Sequence, residues 1–185
     1  MEKILFCNLD LLRTSFDTYF DPDLHANRDD FLVYAERLCL NEKNQVCFIS
    51  AKANDLSAAQ RVIQNPEFEY LSRTDATEFI KVNRAHNNYY VFISGKDIDF
   101  YTAANTKSLF IVPNWIPVES KAQHYGVHVD SPSQLFQFVR TLNNHETWYA
   151  RATIDPGIIV LSLMDGRYKY HSKTLNERDL IEHFE

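Results

Sequence analysis

Glycine is scarce in this sequence, with four residues, and proline (six), cysteine (three) and methionine (two) are few. So little glycine and proline is not the composition of a disordered chain. No Walker-type loop, GxGxxG turn or Gly-x-Ser-x-Gly elbow occurs, so three common nucleotide and acyl-transfer signatures are excluded. The cysteines, Cys7, Cys39 and Cys47, include no CxxC pair and are an odd number. Buried free thiols in a reducing compartment are the plain reading, and cytoplasmic is the expected location. No apolar run approaches the roughly 20 residues needed to span a bilayer. The apolar segment in "MEKILFCNLD" is cut by Asn8 and Asp10, so neither a secretory signal nor membrane association is expected. Runs of lysine and arginine are missing too, and the formal net charge is -6. That argues against general nucleic-acid binding, which needs a basic face to displace counterions. The seven histidines form no HExxH or HxxxH ligand pattern on a helix. His124 and His128 are four apart, but Gly126 stands between them, so isolated surface histidines are expected.

Large rings and apolar residues are what the sequence does have. Aromatic residues make up 14%, hydrophobic residues 45% and charged residues 24% of 185, which suits one domain with a sizeable core and a small appendage. Short apolar runs alternate with helical periodicity. "KILFCN", "QVCFIS", "YYVFIS" and "SLFIVP" read as buried strands. "RDDFLVYAERLCLNE", "NDLSAAQRVIQ", "DATEFIKVNRAH", "IDFYTAANT" and "SPSQLFQFVRTLNN" read as helices, the last with Ser131 or Ser133 near its cap and Pro132 in its first turn. Residues 10 to about 27 read as polar and turn-like. This order predicts an α/β fold, a Rossmann-like, mostly parallel sheet with helices on both faces. Residues 1–144 are expected to form that core. Residues 145–185 read as a small antiparallel meander ("ETWYARATI", "IIVLSLM", "RYKYHS") closed by a short helix, "TLNERDLIEHF". Trp115, Trp148, Tyr149, Tyr168 and Tyr170 would give the tail an aromatic surface for a protein partner or a homodimer.

In a parallel sheet ligands collect outside the carboxyl ends of the strands. Asn8, Ser50 and Gly95 all fall at such ends. The stretches "CNLD", "FISAK" and "FISGKDIDFYTAANTKSLFIVPNW" together resemble the haloacid dehalogenase (HAD) superfamily, over roughly residues 3 to 140. The resemblance implies a Rossmann-like magnesium-dependent phosphatase. It places Asn8 in the nucleophile position and Asp10 in the acid/base position. Ser50 matches the hydroxyl that binds the phosphoryl group. Asp97 and Asp99, with Asp10, match the carboxylates that hold Mg2+. Lys81 is the candidate for the charge-stabilising lysine, with Lys52 as a rival. Only about forty residues separate Asp10 from Ser50, so no large cap is expected, and the phosphorylated substrate is either a small molecule or a macromolecule.

Two positions depart from the family pattern. Asn8 is an amide where a carboxylate attacks phosphorus, and Lys96 follows Gly95 where an acidic residue is usual. An amide oxygen carries no full charge and forms no useful acyl-phosphate. Loss of a catalytic nucleophile reduces turnover by about a million-fold in a serine protease. Hydrolysis is therefore expected to be impaired, through natural divergence or an introduced substitution. Together the two changes add positive charge comparable to that of a divalent ion, so Lys96 is expected to replace the metal in part and to bind phosphate with Ser50. The alternative is a non-catalytic scaffold for ligand sensing or protein interaction. Plainer readings are a cap or turn role for Asp10, helix caps for Asp97 and Asp99, and a solvated helix face for Lys81.

Overall fold

The computed structural model describes residues 2–12, 22–42, 44–83, 88–106, 108–141, 158–164 and 167–173. Strands and helices alternate along the chain as β1 (Lys3–Asn8), α1 (Pro22–Glu42), β2 (Gln45–Ser50), α2 (Ala53–Ile63), β3 (Phe68–Ser72), α3 (Arg73–Asn83), β4 (Tyr89–Ile93), α4 (Asp97–Asn105), β5 (Leu109–Pro113), α5 (Ser120–Tyr125), β6 (Val127–Val129) and α6 (Pro132–Thr141). A 3-10 turn, Leu9–Leu12, follows β1. The six strands form one parallel sheet in the order β3-β2-β1-β4-β5-β6.

Every strand residue from Lys3 to Asn8 is buried, as is every residue of β4. Such continuous burial requires cover on both faces, because successive side chains point to opposite sides. Leu5, Cys7, Val46, Phe48, Val91 and Ile93 pack with Phe31, Ala35 and Leu38 of α1 and Leu135 and Phe138 of α6. The alternate residues, among them Ile4, Phe6, Cys47, Ile49 and Phe92, pack with Ile80 of α3, Phe100 of α4 and Tyr125 of α5. The aromatic content goes into this core. Phe6 stacks on Phe92 at 5.0 Å between ring centroids, and Phe100 on Tyr125 at 5.0 Å.

The parallel α/β architecture agrees with the reading of the sequence, and several elements extend it. β3 was not read as a strand, and Val127–Val129, now β6, reads from the sequence only as strand or loop. Both are edge strands; β3 carries Glu69 inside "FEYLS", and β6 has three residues, so neither shows a long apolar run. α5, six residues long, was also missed. α1 begins at Pro22, well before "RDDF", since proline is accommodated in the first turn where its missing N–H is not needed. Ser131 caps α6 as expected, its Oγ accepting from the Gln134 N–H at 3.1 Å. Between β1 and β2 the described elements are the 3-10 turn and α1. In the tail, β7 (Ile158–Met164) and β8 (Arg167–Lys173) pair antiparallel. The expected strand at "ETWYARATI", the closing helix, and Trp148 and Tyr149 lie outside the described residues. No helix among the described residues is long and apolar enough to cross a membrane.

Candidate functional site

From β1 the chain steps outward to β2 and β3, then returns across the sheet to β4 and steps outward the other way. The reversal point lies between β1 and β4, where loops diverge and leave a crevice at the carboxyl ends. Asn8 ends β1 on one side of it, and Ser94 follows β4 on the other.

Three strands end in the same local device. The Asn8 Oδ1 accepts the Asp10 N–H at 2.8 Å, the Ser50 Oγ accepts the Lys52 N–H at 3.1 Å, and the Ser94 Oγ accepts the Lys96 N–H at 3.0 Å. A short polar side chain bonding the backbone two residues on turns the chain away from the strand direction. It also fixes the remaining polar atoms of that side chain.

Those of Asn8 and Ser94 converge on Asp99, which is fully buried at the first turn of α4. Its Oδ2 accepts from Asn8 Nδ2 at 2.7 Å and from Ser94 Oγ at 2.5 Å. Arg73, the first residue of α3, places Nε 2.5 Å from Asp99 Oδ1 and Nη2 3.4 Å from Oδ2. A carboxylate withdrawn from water must be paired and fully hydrogen-bonded, and here a guanidinium fork, an amide and a hydroxyl do this together. The orientation of the Asn8 amide follows: its oxygen must face the Asp10 N–H and its nitrogen the carboxylate.

The other charged residues pair around this cluster. The Lys96 Nζ lies 3.8 Å from Asp10 Oδ2 and 3.4 Å from Glu119 Oε1. The Glu119 Oε2 accepts the Asp97 N–H at 2.7 Å, capping α4. The Asp97 Oδ1 accepts the Lys121 and Ala122 N–H groups, each at 2.9 Å, capping α5. Gly95 lets this loop close over the strand end, since a Cβ there would stand 2.2 Å from the Pro117 carbonyl oxygen.

The crevice thus gathers Asn8, Asp10, Lys96 and Asp99, with Ser50 at the neighbouring strand end. Asn8 ends β1, and Asp10 lies in the 3-10 turn that follows it. Lys81 is elsewhere: it lies in the last turn of α3, exposed, with its Nζ 2.9 Å from Glu78. Eight residues of helix, about 12 Å of rise, separate it from Arg73. The solvated-face reading holds for Lys81. Asp97 is a helix cap, but of α5 and not of its own helix α4, where its plainer reading put it. Lys96 does not neutralise the buried carboxylate; Arg73 does. Arg73, Ser94 and Glu119 were not singled out in the sequence. For Arg73 the only signal is the polar run "SRTD" that follows the unrecognised strand β3.

A magnesium ion needs oxygen donors with lone pairs to spare, in near-octahedral array. Asp99 spends its oxygens on three donor groups, Asp97 faces α5, and Asn8 turns an N–H toward the would-be ion. Among the described residues no group of three or more His, Cys, Asp or Glu is arranged to hold a metal. The carboxylates assigned to Mg2+ therefore do not fit it in this arrangement. A cavity of about 350 Å³ lies elsewhere, between α1 and the end of α2, lined by Leu32, Val33, Ile63 and Phe68 among others.

The chain matches no family model, no curated protein and no solved structure.

Proposed function

We propose that the protein recognises an oxyanion, such as the phosphoryl group of a small molecule or a macromolecule, at the carboxyl ends of β1, β2 and β4, and that it does not hydrolyse it. The observation that carries this reading is the engagement of Asn8. Its oxygen is held by the Asp10 N–H and its nitrogen by Asp99, so the residue in the nucleophile position offers no anionic oxygen to phosphorus.

Several groups favour an anion at this rim. Ser50 is half-buried at the end of β2. α2 begins close after it, and its N-cap residue, Lys52, makes no side-chain cap bond, which leaves the Ala53 and Asn54 amides and the positive end of the helix for a ligand. Lys52 and Lys96 add cationic charge. Asp10 retains the acid/base position, ion-paired with Lys96.

A second reading, a non-catalytic scaffold, is favoured by the degree to which the polar groups of the crevice satisfy one another. An assay with an aryl phosphate and magnesium separates the readings when run on this chain beside Asn8→Asp. The expected result is no turnover by the native chain and binding of inorganic phosphate that weakens in Ser50→Ala. Turnover by the native chain would refute the non-hydrolytic reading. Absence of phosphate binding would leave the scaffold.

A further inference from the structure

Asp99 and Arg73 form an ion pair at the crevice, with the carboxylate fully buried. A carboxylate with no solvent exposure needs a counter-charge at all times, with or without ligand. In a metal-dependent site a divalent ion supplies it. Here the Arg73 guanidinium does, through Nε on one carboxylate oxygen and Nη2 on the other. A fork held on a carboxylate in this way is rigid, because both partners are planar and the geometry is fixed at two points.

Arg73 is not consumed by this contact. Arginine has five N–H donors, and the two hydrogen bonds to Asp99 leave three. The Arg73 side chain is 17% exposed, whereas Asp99 is wholly enclosed, so water reaches part of the arginine and none of the carboxylate. The Asn8 nitrogen and the Ser94 hydroxyl complete the buried end, which means that Asp99 does not depend on an incoming cation.

We propose that Arg73, anchored on Asp99, is the fixed cation of the crevice: it stands in for a divalent ion as counter-charge to Asp99 and ligates the incoming oxyanion with its remaining N–H donors, so that binding needs no metal. The ligating half rests on the anion-recognition reading above. The counter-charge half does not.

Titration calorimetry of the full chain with inorganic phosphate, in EDTA and in millimolar Mg2+, tests both halves, with thermal unfolding in the same buffers. The affinity is expected to agree within about twofold between the two buffers, and to fall by about tenfold or more in Arg73→Gln/Asp99→Asn. That paired variant removes both charges at once, so no carboxylate is left buried alone, and its circular dichroism checks that it folds. Retained phosphate binding in the folded paired variant, with loss in Ser50→Ala, overturns the Arg73 assignment and leaves the anion reading standing. Absence of phosphate binding by the native chain in both buffers overturns the anion reading and the ligating half with it. The counter-charge half is then decided by the magnesium arm: an unchanged melting temperature supports it, and a rise of several degrees with Mg2+ overturns it.

Discussion

Asp97 and Glu119 cap each other's helices: the Glu119 carboxylate takes the first N–H of α4, and the Asp97 carboxylate takes two N–H groups at the start of α5. Two helix starts are therefore satisfied by a single reciprocal exchange between α4 and α5. Replacing an N-terminal cap acceptor by alanine costs about 1 kcal/mol. Asp97→Ala and Glu119→Ala should each lower stability by about that much. A double-mutant cycle in urea should give less than the sum, because either change disturbs the loop that the other holds.

Asn8→Asp would set a carboxylate oxygen 2.7 Å from that of Asp99. Two carboxylates at that separation do not both ionise, so a proton must be shared or the network must open. A loss on the order of 2 kcal/mol at neutral pH is expected, with Arg73 offsetting part of the repulsion. The sign with pH follows: the folded variant binds the extra proton, so its deficit should shrink as pH falls. Urea denaturation of both proteins at mildly acidic and mildly alkaline pH measures this.

Gly95→Ala should be more harmful than any cap substitution. The added Cβ would meet the Pro117 carbonyl oxygen, which is backbone and has no rotamer by which to withdraw. Overpacking of this kind costs about 1–3 kcal/mol, and the loop from Pro117 to Glu119 must move outward. Loss of the bond from the Glu119 N–H to the Gly95 oxygen, 2.7 Å in the native chain, should show in the amide exchange of Glu119.

Lys81→Ala should leave both phosphate affinity and stability nearly unchanged. Its one ion pair is exposed and lies three residues away on the same helix. Such pairs contribute about 0.2–0.5 kcal/mol. An effect of Lys81→Ala on binding as large as that of Ser50→Ala would contradict the placement of the site.

The thiols predict alkaline sensitivity. Burial first, then Glu69 and the Cys39 thiol, push Cys47 up to about 12. Burial, then Cys47 and Cys39, raises Cys7 well above its ordinary value. In the unfolded chain a thiol releases its proton near 9.0. Above that pH the unfolded state holds fewer protons than the folded state, so stability is fully present below pH 9.0 and is lost as pH rises toward about 12. Each such thiol adds a slope of about 1.4 kcal/mol per pH unit in that window. Cys47→Ala should be less stable at neutral pH but show a shallower alkaline decline in urea denaturation.

The central strands were legible in the sequence because burial on both faces leaves continuous apolar runs, as in "YYVFIS" and "QVCFIS". The edge strands β3 and β6 were not, because an edge tolerates Glu69 or contracts to Val127–Val129. Asn8, Asp10 and Asp99 were legible as strand-end and helix-start polar groups. Arg73 was not, because its partner is 26 residues away and nothing local marks an arginine as buried. Sequence adjacency of Lys96 to Gly95 does not reveal that its side chain turns to Asp10 and Glu119.

The pairing of β1 with both β2 and β4 sets a timetable for assembly on the ribosome. Asn8 and Asp99 lie 91 residues apart, so at about 5–20 residues per second roughly 5–20 s pass between their synthesis. Until then the first strand has one neighbour where it needs two, and its unpaired backbone N–H and C=O groups are open to capture by another chain. Non-local closure of this kind is slow for isolated domains as well. Expression at reduced translation rate or without chaperones should therefore trap this protein as aggregate before its central polar cluster can form.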